Sequence, residues 1–353
     1  MAKVIDPKTG LDLITSGRIS QLEIEGKNVN FSLSIPSADA KDKGDLNFAC
    51  IQAISEVYPE ANVNVHFVSV NTHAVPDQGP LPHVKNIIAV ASGKGGVGKS
   101  TVALNLALAI QATGAKVGLI DADLYGPSLP TMLGLQNAKP KVKTVYGKHK
   151  IEPLQSNGLH VISVGFIIEP EAAVVLRGPR LGGILKQFIN DVVWPELDYM
   201  VIDLPPGTGD IHLTMVQTVP VTGALIVTTP QEVALADAIK ASNMFRLPSV
   251  NVPILGVVEN MSWFTPAELP DNKYYLFGNG GGKILAEKME TKELAQIPIV
   301  QSIRESGDRG LPAFLAGHLK VSEAFETLAV NTIKQIESRK ANFEPTNIVK
   351  LNT

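Results

Sequence analysis

The sequence is almost without the residues that build covalent cross-links and metal clusters. It contains one cysteine, Cys50, among 353 residues. One thiol can form neither an internal disulfide nor, alone, a cysteine cluster site. The seven histidines are scattered along the chain without the spacing of metal ligands. Disulfide-stapled folds and zinc-finger-like sites are therefore excluded.

Long apolar runs and a strong net charge are also missing. No apolar run approaches the length needed to cross a bilayer, and the first residues carry no signal-peptide apolar region. The net charge of −3 gives no general attraction to nucleic acid. We therefore expect a cytoplasmic protein with no membrane partner and no specific nucleic acid partner. The lysine-rich stretch 139–150 is expected to be a solvated hairpin.

A complete phosphate-binding loop is present at residues 93–101. Gly93, four further residues and then Gly98-Lys99-Ser100 form the motif, between a short apolar run and a helix-like run. Glycines let backbone N–H groups converge on phosphate at a helix N-terminus. We expect ATP and Mg²⁺ as cofactors, with Lys99 reaching the β- and γ-phosphates and the Ser100 hydroxyl binding Mg²⁺. The predicted nucleotide-binding residues of the loop are Gly93, Gly95, Gly96, Val97, Gly98, Lys99, Ser100 and Thr101.

Three acids follow predicted buried strands. Asp121 and Asp123 end one strand, and Asp203 ends the apolar Walker B run 199–202. The carboxyl ends of parallel strands are where open α/β sheets bind ligands. We expect Asp121 and Asp203 to support Mg²⁺ with Ser100, and Asp123 to orient the attacking water. A helix cap is the alternative role for Asp121. The Pro-Pro-Gly-Thr-Gly run at 205–209 is predicted to be a switch loop.

Composition and periodicity predict two domains. Residues 1–70 are typical of a small α+β domain, with a helix near 6–16, alternating strands over 29–35 and 63–67 and a helix over 45–57. Residues 71–83 are a predicted linker, 84–340 an α/β ATPase domain with a mostly parallel sheet flanked by helices, and 341–353 a polar tail.

The second lysine of the loop, Lys94, points to a particular class. Gly-Lys-Gly-Gly-Val-Gly-Lys-Ser resembles the deviant P-loop of the MinD/ParA/nitrogenase-iron-protein ATPases. That resemblance implies that Lys94 reaches the partner subunit's nucleotide and stabilises transition-state charge, as an arginine finger does elsewhere. Lys94 is then catalytic together with Lys99 and Asp123. An incidental surface lysine is the alternative.

A wider set of motifs resembles the Mrp/ApbC-type ATP-binding proteins. The set comprises the loop, Asp121-Ala-Asp-Leu-Tyr-Gly-Pro-Ser, Arg177-Gly-Pro, Asp203-Leu-Pro-Pro-Gly-Thr-Gly-Asp and Glu259-Asn-Met-Ser. The resemblance implies slow, Mg²⁺-dependent ATP hydrolysis by a homodimer that transfers iron–sulfur clusters to apoprotein clients. It also implies that Asn260 reads adenine. The N-terminal domain resembles a small iron–sulfur-assembly domain. In such domains a reactive cysteine lies near the position of Cys50, whose alternative role is a buried apolar residue.

The chain departs from this family where a bridging cluster is expected. The family has Cys-x-x-Cys soon after the Asn-Met-Ser segment, whereas residues 263–278, here named the thiol-free loop, contain no cysteine. Glu268 and Asp271 are hard oxygen ligands and match a cluster poorly. No Fe–S ligands are therefore identified.

Two functions remain open from the sequence. One is a cluster carrier that holds its cluster weakly or with a partner. The other is a nucleotide-gated dimeric switch or adaptor without a cluster, whose thiol-free loop binds protein partners. A ParA-like DNA-binding ATPase is disfavoured by the acidic balance.

Overall fold

The chain divides into two compact units, residues 1–78 with 142–152 and residues 79–141 with 153–353. A computed structural model describes residues 4–5, 12–14, 18–35, 40–69, 80–123, 126–145, 148–167, 178–266, 268–269, 271–346 and 348. Several predicted features lie outside these residues: most of the linker (71–79), Leu124 and Tyr125, Arg177, and residues 347 and 349–353 of the tail.

The small unit is built on a sheet in the order β1-β2-β3. Strand β1 (Ile19–Glu25) is antiparallel to β2 (Asn28–Ile35), and β2 is parallel to β3 (Asn62–Ser69). Helix α1 (Ala40–Ser55) connects the parallel pair. Alternate residues of β2, Val29, Phe31 and Leu33, are buried together with Cys50 of α1. The predicted strands and the predicted second helix are thus confirmed.

The predicted N-terminal helix is wrong over the residues that the structure describes there. Asp12 pairs with Ile5 in an antiparallel bridge, and the Leu13 amide donates to the Val4 carbonyl at 2.9 Å. This pairing buries both Val4 and Leu13 in the core of the small unit. Burial of two apolar side chains from a paired segment therefore overrides the weak helical periodicity. Residues 6–11 and 15–16 lie outside the described residues.

The large unit has a mostly parallel sheet flanked by helices, which confirms the predicted fold class. The sheet order is β13-β12-β11-β4-β10-β5-β9-β8, with β8 antiparallel to β9. Its strands are β4 (Ile87–Ser92), β5 (Val117–Asp121), β8 (Leu154–Ser156), β9 (Leu159–Ser163), β10 (Tyr199–Asp203), β11 (Gly223–Thr228), β12 (Ile254–Phe264) and β13 (Glu293–Ile299). Its helices are α2 (Lys99–Ala112), α3 (Leu129–Met132), α4 (Gly178–Asn190), α5 (Asp210–Thr218), α6 (Glu232–Arg246), α7 (Gly281–Lys288), α8 (Gln301–Asp308) and α9 (Leu319–Asn342).

The order of the central strands places the predicted site. Strands β4, β10 and β5 are neighbours, with Asp203 of β10 in register with Val90 of β4 and Asp121 of β5. Helix α2 is apolar on nearly every side, and its residues from Val102 to Ile110 are buried. The phosphate loop and two acid-bearing strand ends therefore meet at one edge of a rigid core.

The lysine-rich stretch forms the predicted hairpin. Strand β6 (Val142–Val145) is antiparallel to β7 (Lys148–Ile151), and the hairpin groups with the small unit. The domain limits derived from the sequence remain a prediction. Among the described residues, no helix is both long enough and apolar enough to span a bilayer.

Candidate nucleotide site

The glycines of the phosphate loop answer two different demands. Gly96 and Gly98 have φ of 80° and 78°, a left-handed conformation that glycine adopts without a steric penalty. Gly98 is also the residue from which α2 begins. Gly93 is needed for space instead, because a Cβ there would lie 2.1 Å from the carbonyl carbon of Asp237 in α6. The first glycine is thus demanded by helix packing and the later two by backbone curvature.

Lys99 lies at the centre of a buried charge cluster. Its side chain is 5% exposed, and its Nζ lies 2.6 Å from Oδ1 of Asp203 and 3.5 Å from Oδ2 of Asp123. The Ser100 hydroxyl is 3.3 Å from the same nitrogen. Three of the predicted catalytic and metal-site residues therefore surround one ammonium group. Phosphate oxygens of a nucleotide would compete with these carboxylates for Lys99.

Asp121 is held by hydrogen bonds on both oxygens. Ser163 of β9 donates to Oδ2 at 2.8 Å, and the Asp123 amide donates to Oδ1 at 3.1 Å. Burial, and then the nearby Asp203 carboxylate, raise the pKa of Asp121 to about 8. The part of Ser163 was missed by sequence reasoning, since a serine at the end of a strand has no distinctive motif. Asp121 therefore orders Asp123 and is itself ordered by β9.

Two carboxylate oxygens of the cluster lack a partner among the described residues. They are Oδ1 of Asp123 and Oδ2 of Asp203, both buried. Burial raises the pKa of Asp203 although the Lys99 ammonium opposes that shift. A buried oxygen with no hydrogen bond is costly unless a ligand satisfies it. Carboxylate oxygens beside a serine hydroxyl are a donor set that suits Mg²⁺.

Lys94 contacts its own protomer. Its Nζ lies 3.3 Å from Oε1 of Gln231, the residue that precedes α6. The Ser92 hydroxyl donates to the Lys94 carbonyl at 3.0 Å. The backbone of Lys94 is thereby tied to β4, whereas its side chain extends towards Gln231, which lies between β11 and α6.

Asn260 lies against the phosphate loop at the end of β12. Its Nδ2 donates to the Val97 carbonyl at 2.8 Å, and the side chain is buried. A Cβ on Gly98 would lie 2.2 Å from that nitrogen. Met261 follows with φ of 56°, a conformation that is strained for a residue with a side chain. The structure brings Asn260 to the loop, and its contact with adenine remains a prediction.

The predicted switch loop is tied to β4. The Gly207 amide donates to the Ser92 carbonyl at 2.8 Å, and Gly207 has φ of 94°. His212 in α5 is fully buried, with Nδ1 3.3 Å from the Gly209 carbonyl. Burial lowers the pKa of His212 to about 4, so the imidazole is neutral near pH 7.

The phosphate loop borders a cavity of about 950 Å³. It is bounded by the phosphate loop, Asp123, Pro206 and Asn260, and on the far side by β13 and α8. Leu276 and Phe277 of the thiol-free loop also line it. Sequence reasoning missed these two, because apolar loop residues carry no motif. The cavity lies within the 300–1,000 Å³ range typical of small-molecule sites.

The residues of the chain do not match a cluster site. Cys50 is fully buried, and burial raises the pKa of its thiol to about 11. Cluster ligation needs a thiolate, so burial favours the apolar role for Cys50. Among the described residues, no group of three or more His, Cys, Asp and Glu is arranged to hold a metal ion.

The thiol-free loop presents ring and aliphatic surface instead. Phe264 pairs with Tyr274 in an antiparallel bridge, and the Lys273 Nζ lies 3.9 Å from the centre of the Trp263 ring. Tyr274, Tyr275 and Leu276 are 43%, 46% and 61% exposed.

Comparison with known proteins agrees with this geometry. Residues 83–333 match the family described as NUBPL iron-transfer P-loop NTPase, and residues 1–67 match the family described as iron-sulfur cluster assembly protein. An iron-sulfur cluster carrier protein of Synechocystis is 43% identical over 88% of this chain and 88% of its own length. The Haemophilus influenzae protein of the same name is 42% identical over 92% of this chain and 86% of its own length.

Two solved structures share the fold of the large unit. A nucleotide-binding protein from Archaeoglobus fulgidus, in complex with ADP, has a TM-score of 0.57 and 39% identity, covering 65% of this chain and 88% of that one. The cell division ATPase MinD of Pyrococcus furiosus has a TM-score of 0.53 and 26% identity, covering 71% of this chain and 99% of that one.

Proposed function

The chain belongs to the NUBPL iron-transfer P-loop NTPase family, and we propose that it is a homodimeric, Mg²⁺-dependent ATPase that acts in iron–sulfur cluster transfer. The observation that supports the ATPase activity most directly is the buried cluster of Lys99, Asp123 and Asp203, in which two carboxylate oxygens have no partner among the described residues.

The donor set fits Mg²⁺ at this position. Ser100 and Asp203 would hold the ion, and Asp121 would support it through Asp123, whose amide it binds. When bound there, Mg²⁺ would neutralise the charge that develops on the phosphate oxygens. Lys99 would bind the phosphates, and the free Asp123 oxygen would orient the attacking water. The loop amides from Gly93 to Thr101 would cradle the phosphates.

The remaining nucleotide contacts follow from the cavity walls. Asn260 would read adenine, with Leu276 and Phe277 as apolar neighbours in the same cavity. The side chain of Lys94 would cross the dimer interface and act on the partner's nucleotide. Turnover should therefore be slow for an isolated protomer and should rise when the dimer forms. The cytoplasmic location predicted from the sequence stays a prediction.

The cluster is the cargo of this activity, and the chain's own thiol does not fit it. We therefore derive no cluster-binding step on this chain and infer that partner proteins supply the cluster ligands. A second function, a nucleotide-gated adaptor that handles no cluster, is favoured by the exposed rings of Tyr274 and Tyr275 in place of ligands.

Cluster transfer tests the first function against the second. A scaffold protein loaded with labelled cluster and an apoprotein client would be mixed with the chain and ATP. We expect faster transfer with the wild-type chain than with Lys99→Ala. Transfer at the same rate with and without the chain, in every nucleotide state, would contradict the carrier function and leave the adaptor.

Anaerobic reconstitution of the isolated dimer tests the ligand inference separately. We expect no stoichiometric iron and acid-labile sulfide on either the wild-type chain or Cys50→Ala. A cluster that forms on the wild-type chain and is lost in Cys50→Ala would make Cys50 a ligand after all.

A further inference from the structure

The turn between β11 and α6 contacts both the phosphate loop and the end of the thiol-free loop. This turn, residues 229–231, is here named the β11–α6 turn. On one side, Oε1 of Gln231 accepts a hydrogen bond from the Lys94 ammonium at 3.3 Å. On the other side, Pro230 packs against Gly281, where a Cβ would lie 2.7 Å from the Pro230 carbonyl oxygen. One short segment therefore connects the lysine of the proposed trans contact to the segment that follows the thiol-free loop.

The acceptor that Gln231 presents to Lys94 is neutral. A hydrogen bond between a lysine and an amide oxygen contributes modestly and can be exchanged. A carboxylate at the same place would add a charge–charge attraction in a partly buried setting. The ammonium is therefore held weakly enough to be released, while its backbone stays tied to β4 through Ser92.

We propose that Gln231 is a positioning residue. It holds the Lys94 side chain within its own protomer until that side chain reaches the partner's nucleotide. The inference rests on the proposed trans role of Lys94. It assigns the β11–α6 turn as the regulator of that role. Dimer formation with ATP must break the contact between Lys94 and Gln231, so the strength of the contact sets how readily the active dimer forms.

The packing of Pro230 connects the thiol-free loop to the contact between Lys94 and Gln231. Gly278 and Gly281 both approach Pro230, and Gly281 leaves no room for a methyl group. A partner that pushes residues 278–281 towards this turn would shift Pro230, and Gln231 is the next residue. A protein bound to the thiol-free loop would thereby alter the release of Lys94.

The test is a pair of opposite substitutions at Gln231. Gln231→Leu removes the acceptor, and Gln231→Glu converts it to a carboxylate. The readouts are the protein concentration for half-maximal ATPase activity, and dimerisation with a non-hydrolysable ATP analogue in sedimentation velocity. We expect Gln231→Leu to lower the half-maximal concentration about fivefold and Gln231→Glu to raise it by about as much or more.

The same substitutions in a Lys94→Ala background separate this role from a structural one. If Gln231 acts through Lys94, the two variants and the parent should dimerise alike in that background. Equal shifts with and without Lys94, or no shift at all, would overturn the role of Gln231. Wild-type turnover in Lys94→Ala alone would overturn the trans role itself, so the two failures are distinguishable.

Gly281→Ala tests the connection to the thiol-free loop. Because the added methyl group must displace Pro230, we expect it to shift the half-maximal concentration in the same direction as Gln231→Leu, and only when Lys94 is present. Gly183→Ala is the matched control, since a Cβ at Gly183 meets nothing within 4 Å. An unshifted Gly281→Ala that folds normally would contradict the connection.

Discussion

The nucleotide cavity and the thiol-free loop lie at the same edge of the large sheet, yet they differ in burial and in charge. At the cavity, Lys99 and Asp123 are buried, and Lys99 is fixed by ion pairs to Asp123 and to the buried Asp203 behind it. In the loop, Tyr274 and Tyr275 are 43% and 46% exposed and carry uncharged rings. Phosphate chemistry constrains backbone and side chains together, whereas a surface loop can lose its ligands without disturbing the core. The difference indicates that the nucleotide site can be kept intact in a chain whose thiol-free loop contains no cluster ligands.

The strongest test of the constrained half is Lys99→Ala. Loss of the ammonium removes the proposed phosphate contact and leaves the buried Asp203 carboxylate without its cation. We expect nucleotide binding, measured by calorimetry, to fall below detection and ATP turnover to vanish. Lys288→Ala, an exposed lysine in α7, is the matched control. ATP binding of near wild-type affinity in Lys99→Ala would contradict the site.

The unconstrained half is tested by adding ligands. The Leu269 amide donates to the Pro266 carbonyl at 3.2 Å, so residues 266 and 269 are joined by a turn. Pro266→Cys with Leu269→Cys would create Cys-x-x-Cys in the thiol-free loop, and two thiols per protomer supply the four ligands of a cluster. We expect anaerobic reconstitution to yield about four iron atoms per dimer, with Leu269→Cys alone as control. Background iron in a double variant that remains dimeric would show that the loop geometry, as well as its composition, has diverged.

Lys94→Ala sharpens the comparison because Lys94 lies between the two halves. We expect ATP affinity to be unchanged and turnover at saturating ATP to fall by at least about a hundredfold, as for loss of a trans-acting cation. Lys240→Ala, an exposed lysine in α6, controls for loss of positive charge. A KM effect without a kcat effect would argue for a binding role instead.

The smallest expected effect concerns His212, behind the switch loop. Burial lowers the pKa of His212 from 6.5 to about 4. Between these two pH values the unfolded chain binds a proton at His212 that the folded chain does not bind. The contribution of His212 to the free energy of unfolding should therefore fall as pH decreases from 6.5 towards 4, by up to about 3 kcal/mol, whereas the raised pKa of Asp121 acts in the opposite direction. Urea unfolding at about pH 7.5 and about pH 5 measures this loss.

The variant His212→Gln should lack this contribution, so its free energy of unfolding should rise relative to that of the wild type between about pH 7.5 and about pH 5, with exposed His318→Gln as the matched control. An unchanged pH dependence in His212→Gln would show that other groups cause the loss of stability at low pH.

Local patterns predicted the large unit well, because its chemistry is written in contiguous residues. The loop from Gly93 to Thr101 and the apolar run ending at Asp203 each combine a periodicity with a chemical signature. The contacts of Gln231 and Ser163 join residues far apart in the sequence, so no local pattern could reveal them. The prediction of an N-terminal helix was wrong for a related reason, since the pairing of Ile5 with Asp12 depends on the core of the small unit, which other segments form.

The strand order has a consequence for how this scaffold can be altered. The proposed catalytic groups lie at the ends of the three central strands β4, β10 and β5, whereas the thiol-free loop begins with the last two residues of β12, two positions from β4. Replacing residues 263–278 therefore cuts no hydrogen-bond ladder among the central strands. Segments from other proteins grafted into the thiol-free loop would therefore give the same nucleotide site a different docking surface, provided that Leu276 and Phe277, which line the nucleotide cavity, are kept.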